Sequence, residues 1–303
     1  MMYVLETGDL RLTVLPERGA KIAGLWHRAS RTELLWQPAA LPADSRIPKD
    51  PPVAFDASQA WGWDEMFPAI GAETYEDPGG TRMIVADHGE VWTLPWQVME
   101  TAGRHRITLE VSGDAFPYRL TRTTTLREAT VRNEYRLKNG GNAVLPWMWA
   151  AHPLFALGMH NRLVAPAGWD RVRNAYDSPA MPGYDRLYRY PGRRPELDVL
   201  PDPGSGVAMK YFFERPNTDA TAALTLLNPE TGLGISVRAD PAVAPWFGVW
   251  CNAGGLFGHR NLAIEPASAP MDTLSAAARL GRLPRLPPGG SVSWWMEVTV
   301  GSL

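Results

Sequence analysis

Alternation of apolar and polar positions is the dominant pattern along this chain. In "ITLEV" (107–111), Ile107, Leu109 and Val111 fall on one face. In "TVRNEYRLKNGG" (130–141), Val131, Asn133, Tyr135 and Leu137 stand opposite Arg132, Glu134, Arg136 and Lys138, and the run stops at Asn-Gly-Gly. A period of two puts alternate side chains on opposite faces of extended backbone, so this segment predicts a half-buried strand entering a turn. "RLTRTTTL" (119–126), "LTLLNPETGLGISVRA" (224–239) and "SVSWWMEVTV" (291–300) follow the same rule, the second with its own hairpin turn at Pro229–Gly234. No long stretch carries the 3.6-residue period of an amphipathic helix; "DTLSAAARLG" (272–281) is the best helix candidate, and it is short. The 28 Gly and 28 Pro are spread through the chain and cut it into many brief segments. Such a pattern predicts an all-β fold, a large antiparallel β-sandwich with few short helices. No linker, composition step or 20–50-residue repeat interrupts it, so residues 1–303 are expected to form a single domain. The polar, Pro-rich stretch 44–56 and the weakly periodic stretch 169–200 are expected to be loops, a common seat of function.

Composition narrows the possibilities. Of 303 residues, 45% are hydrophobic and 20% charged, which is ample for a core. The net charge of −2 argues against nucleic acid or a membrane surface as partner, since both demand a basic excess. A single cysteine, Cys251, excludes an internal disulfide framework and a cysteine-rich zinc site, and reads as a small buried hydrophobe. The N-terminal "MMYVLETGDLRL" has no basic segment followed by an apolar one, and no run approaches the roughly 18 apolar residues of a membrane span. A cytoplasmic location, as monomer or homodimer, is the expectation.

Four stretches combine aromatic with titratable residues: "WGWDEMFPAI" (61–70), "ADHGEVWTLPW" (86–96), "AAHPLFAL" (150–157) and "NLAIEPASAPMDTL" (261–274). With 13 tryptophans in the chain, they suggest the walls of a pocket for a sugar, whose C–H face stacks on flat rings while its hydroxyls seek polar partners. Core filling is the plainer reading of any one tryptophan. In "LAIEPA", Glu265 is expected at the end of an apolar strand, partly desolvated and so a better proton acceptor near neutral pH. His152, within an apolar run, is either a satisfied core residue or a proton carrier. A metal is disfavoured, because His88 lies 64 residues upstream and no ligand spacing such as His-x-x-x-His occurs.

The ordered motifs "DHGEVW", "HPLF" and "IEPASAPMD" resemble the aldose 1-epimerase (galactose mutarotase-like) family across most of the chain. That resemblance implies the galactose mutarotase-like supersandwich and mutarotase chemistry on a hexose. By motif, it implies His152 as general acid toward the ring oxygen, Glu265 as general base on the anomeric hydroxyl, and His88 as a sugar-binding residue. Where galactose-type members carry an arginine, this chain reads "WDEMFP", which puts Trp63, Asp64 and Glu65 among the candidate sugar contacts. The family's Asp-His-x-aromatic motif has no clear counterpart; the nearest region is "AMKYFFER" (208–215), with Lys210. Asp87, Glu90, Trp92, Trp246 and Trp250 are further pocket candidates. The reaction implied opens and recloses a sugar ring with one acid and one base, without cofactor or metal. Two other readings stand beside it: a non-catalytic carbohydrate-binding protein, and a glycoside hydrolase pairing Glu265 with Asp64, Glu65 or Glu90. Segment 169–198, with Arg171, Arg173, Arg186, Arg189, Arg193, Arg194 and four tyrosines, reads as a solvated loop or as a lid for an anionic sugar.

Overall fold

The computed structural model describes residues 1–38, 54–56, 58–77, 79–80, 82–193 and 195–303. Most of the predicted 44–56 loop, and Arg194, lie outside the described residues. Among those described, two large antiparallel sheets of eleven and eight strands dominate.

The eight-stranded sheet holds the segments whose alternation is clearest. Tyr118–Arg127 pairs with both Arg106–Ser112 and Thr130–Asn139, and Thr130–Asn139 pairs with Ser291–Ser302. One face of this sheet meets the interior and the other meets solvent, so the strands read apolar-in and polar-out. Leu120 thus opposes Leu137 and Val131 opposes Val298, all of them buried. On the other face Thr108 pairs with Thr123 and Thr130 with Thr299, hydroxyl to hydroxyl at 3.0 Å. The predicted hairpin is present as Leu224–Asn228 and Leu233–Ala239.

The eleven-stranded sheet carries the site on five neighbouring strands. In chain order they are β1 (Trp63–Met66), β2 (Ala150–Ala156), β3 (Val207–Phe213), β4 (Trp246–Ala253) and β5 (Arg260–Ala267). Their order in space is β1-β2-β5-β4-β3. Their inner face packs on the eight-stranded sheet in one continuous core. Their other face is also largely covered, which is why "AAHPLFAL" is an unbroken apolar run instead of an alternating one.

Three expectations are modified. Glu265 is not at a strand end: β5 continues through Pro266 to Ala267. Segment 169–200 is not wholly a loop: Arg171–Asn174 and, at the sheet edge, Leu187–Arg189 form strands too short to show a period. The helix is only Leu274–Arg279 (α1), with Thr273 Oγ1 accepting from the Ala276 N–H at 3.1 Å as its N-cap. Among the described residues no helix is long and apolar enough to cross a membrane.

Candidate active site

Register places the two motif residues face to face. On either side of them β2 and β5 pair normally, Ala150 with Ala267 and Leu154 with Ala263. That register sets His152 opposite Glu265. The ladder is interrupted between these pairs, where each strand carries a proline, Pro153 and Pro266, that has no N–H to donate. His152 Nε2 lies 3.4 Å from Glu265 Oε1. Period two then assembles the rest of the floor: Leu154 on β2, Asn261 on β5, Trp250 on β4 and Lys210 on β3 point to the same side as His152. All four line a cavity of about 360 Å³, a volume suited to a monosaccharide.

Loops supply the walls. His88 adopts a left-handed backbone conformation (φ 62°), followed by Gly89 at φ 71°. A Cβ on Gly89 would stand 2.0 Å from the Phe67 carbonyl oxygen, so a close backbone approach requires glycine after His88. The His88 N–H donates to the Ile70 carbonyl at 2.6 Å, and its Nδ1 lies 3.1 Å from Asp87 Oδ1. Phe55 stacks on the His88 ring at 3.7 Å, and the His88 and His152 rings are 5.2 Å apart. Trp92 does not enter the cavity; its indole N–H bonds the Asp87 and Gly89 carbonyls at 3.2 Å and supports the turn. Opposite, Asp272 follows Met271, another left-handed residue (φ 70°), and its carbonyl accepts from Ile70 and Gly71. Left-handed non-glycine residues are uncommon and concentrate where function fixes geometry.

Lys210 binds this arrangement together. Its Nζ lies 3.0 Å from Glu265 Oε2 and 3.0 Å from Asp272 Oδ1. Both are close ion pairs, and apart from Lys210 and the approach of His152 no donor among the described residues reaches the buried Glu265 oxygens. Glu265 is wholly buried, one layer behind His152 and Lys210, which reach the cavity surface. Burial raises the Glu265 carboxyl above its ordinary value, and Lys210 opposes the rise. Burial, then the electrostatic influence of His88, Lys210 and Lys21, holds His152 well below its ordinary value, so the free imidazole is neutral. Burial acts against Lys210, but Asp272 and Glu265 together raise it, so it is a fixed ammonium. Asp87 is raised by burial but ends below its ordinary value, pulled down by His88 and then Lys210.

The structure does not bring every sequence candidate to the cavity. Asp64, Glu65 and Trp63 are completely buried and none lines it. Asp64 is the β1 neighbour of His152, on the same face, but its carboxylate is taken by the buried Lys21 ammonium, which also bonds the Trp61 carbonyl at 2.7 Å. Glu65, one residue on, points to the opposite face. There it accepts from Arg122 at 2.9 Å, Tyr135 at 2.9 Å and Trp149 at 2.8 Å, between the sheets. Trp63 shares that inner face and belongs to the core. A one-residue step along a strand separates floor from interior, and "WDEMFP" does not reveal which residues face which way. Glu90 accepts from the Ala115 N–H at 2.9 Å, and Trp246 is a core residue.

Lys210, Asp272 and Asn261 join the site without having been singled out as sugar contacts. Asn261 Oδ1 lacks a hydrogen-bond partner, an acceptor left for a hydroxyl. Among the described residues of the arginine-rich segment only Tyr176 reaches the lining, edge-on to Trp250 at 5.6 Å. Arg173 is held by Glu214 through two bonds of 2.8 Å and by Asp185 at 2.6 Å. Among the described residues, no three His, Cys, Asp or Glu side chains cluster as a metal site. Cys251 is buried, its thiol pushed up to about 12, and unreactive.

No protein-family model and no curated protein sequence matches the chain. Solved structures do. A Synechocystis protein superposes with a TM-score of 0.76 at 20% identity, over 100% of this chain and 96% of that one. A candidate aldose 1-epimerase from Escherichia coli K12 gives 0.73 at 19% identity, over 100% and 99%. A galactose mutarotase related enzyme from Lactobacillus acidophilus gives 0.71 at 15% identity, over 100% and 98%. The fold is therefore that of galactose mutarotase-like proteins.

Proposed function

We propose that this chain, built on the galactose mutarotase-like fold, is an aldose 1-epimerase that interconverts the α and β anomers of an uncharged hexose or related sugar. The observation that carries the reading is His152 in the floor of a sugar-sized cavity, with Glu265 facing it at 3.4 Å from the layer behind. The ring oxygen and the anomeric hydroxyl are bonded to the same carbon, so acid and base must be near neighbours, as these two are. The pair carries one proton through the cycle. With imidazolium and carboxylate, His152 protonates the ring oxygen while Glu265 takes the C1 hydroxyl proton, and the ring opens. Neutral imidazole and carboxylic acid remain beside the free aldehyde. Rotation about C1–C2 turns the other carbonyl face to the ring oxygen, and closure returns both protons. Burial favours the neutral half of this cycle, and the Lys210 ammonium beside Glu265 opposes it. Each such group contributes on the order of 10²–10⁴-fold.

An uncharged substrate follows from the lining. Among the described residues its one Lys or Arg is Lys210, already between two carboxylates, with Asp87 adding a further negative group. This argues against the anionic-sugar lid. A second reading, a non-catalytic sugar-binding protein, is favoured by the complete burial of Glu265, which would then be only a counter-ion to Lys210. Polarimetry or NMR of freshly dissolved α-anomers tests both. The expected result is accelerated exchange for the wild type and loss of the acceleration in Glu265→Gln. Sugar binding with no acceleration by the wild type leaves the binder.

A further inference from the structure

We propose that Lys210 is a positioning residue of this site, its ammonium keeping Glu265 a carboxylate turned toward His152, with Asp272 setting how much of that charge Glu265 receives. This deepens the epimerase reading and rests on it. The geometry is specific. Lys210 projects from β3 at the same level of the sheet as Trp250 on β4, and reaches across to β5. One contact of 3.0 Å goes to Glu265 Oε2, leaving Oε1 for His152. The other, also 3.0 Å, goes to Asp272 at the cavity wall. Gly248 makes room on β4: a Cβ there would stand 3.3 Å from Glu265 Oε2 and 2.8 Å from the Phe212 ring. A buried carboxylate without hydrogen bonds has little reason to ionise unless a fixed cation lies beside it.

Among the described residues, the charged and titratable groups around Glu265 come from every element packed on it. They are Lys210 from β3, His152 from β2, Asp272 from the segment before α1, and His88 from the 86–89 turn. Asp64 of β1 lies beyond His152 and is held by Lys21. Lys210 is thus the lysine that touches the carboxylate, while His152, kept neutral by burial, supplies no fixed charge. The same double contact has a chemical consequence. Ring opening creates an aldehyde near a primary amine, and an ammonium held between two carboxylates has no lone pair with which to form an imine.

The test is a ¹³C NMR titration of glutamate-labelled protein, with the Glu265 signal identified by its loss in Glu265→Gln. In Lys210→Met the Glu265 carboxyl is expected to titrate roughly 1–3 pH units higher than in the wild type. In Lys210→Arg, which keeps the charge, it stays near the wild-type value. In Asp272→Asn, where Lys210 is left to Glu265 alone, it moves lower. An unchanged midpoint in Lys210→Met, or the same rise in Lys210→Arg, overturns the proposal. Should Lys210→Met fail to fold, an unchanged or raised midpoint in Asp272→Asn overturns it. Anomer exchange on the same samples keeps the two claims apart. A wild type without exchange removes the epimerase, while the titration still decides whether Lys210 holds the charge of Glu265. With exchange present, the acidic limb of kcat follows the NMR midpoint in each variant.

Discussion

His152 and Glu265 are pushed in opposite directions by the same burial, and that makes their contributions to stability opposite in pH. An unfolded chain protonates a histidine near its ordinary value of about 6.5. Folded His152 stays neutral to well below that, so acidification through this window favours the unfolded state. Glu265, raised, has the reverse sign: its folded form keeps a proton that the unfolded chain releases above about 4.3, so its contribution falls as pH rises. Urea unfolding at pH 7 and pH 5 is the measurement. The His152→Gln variant is expected to lose less stability than the wild type on going from pH 7 to pH 5; equal losses would show that His152 titrates normally. For chemistry, Glu265→Gln and His152→Gln should each reduce anomer exchange by on the order of 10²–10⁴-fold, with sugar binding retained. Trp250→Ala should instead weaken sugar binding, a rise in KM with kcat little changed, since its ring offers a face and no proton.

At the scale of elements, the register of β2 on β5 and the His-Gly turn bring those side chains together. Gly89 cannot accept a Cβ without displacing the Phe67 carbonyl, and its positive φ adds strain for any other residue. Gly89→Ala is therefore expected to destabilise by more than about 1 kcal/mol and to move His88 out of the cavity. Thermal unfolding together with a raised KM would show both effects. Strand identity was readable wherever one face met solvent. In 130–139 the alternation fell on the burial pattern residue by residue, because water on one side enforces polarity there. In 150–156 both faces are covered, the alternation vanishes, and only the oddity of a histidine and a proline in an apolar run marked the strand as special. The Arg171–Asn174 and Leu187–Arg189 strands escaped because three or four residues hold too little of a period, and their stability comes from partners such as Glu214 that are far along the chain.

For the whole molecule, the contact between sheets depends on Glu65 and Arg122, one from each sheet, both fully buried. Arg122 also donates to the Ala20 carbonyl at 2.6 Å. Arg122→Met would leave the Glu65 charge buried with only Tyr135 and Trp149 as donors, at an expected cost of about 3–5 kcal/mol. The double variant Arg122→Met, Glu65→Gln should recover part of this, because no uncompensated charge remains; a double-mutant cycle by urea unfolding gives the coupling. Period-two patterning, the absence of helical periodicity and the density of turn residues were enough by themselves to determine an all-β sandwich, since they encode which side of each strand meets water. The sequence also marked His152 and Glu265, as titratable groups in apolar runs, and His88 through the motif resemblance. Tertiary structure alone decided that Asp64 and Glu65 serve Lys21 and Arg122 instead of a ligand, and that Lys210 and Asp272 belong to the site. These are choices of partner between strands tens to hundreds of residues apart. A chain records the chemistry of each side chain but not its distance to another; register, set by the packing of two whole sheets, supplies that distance.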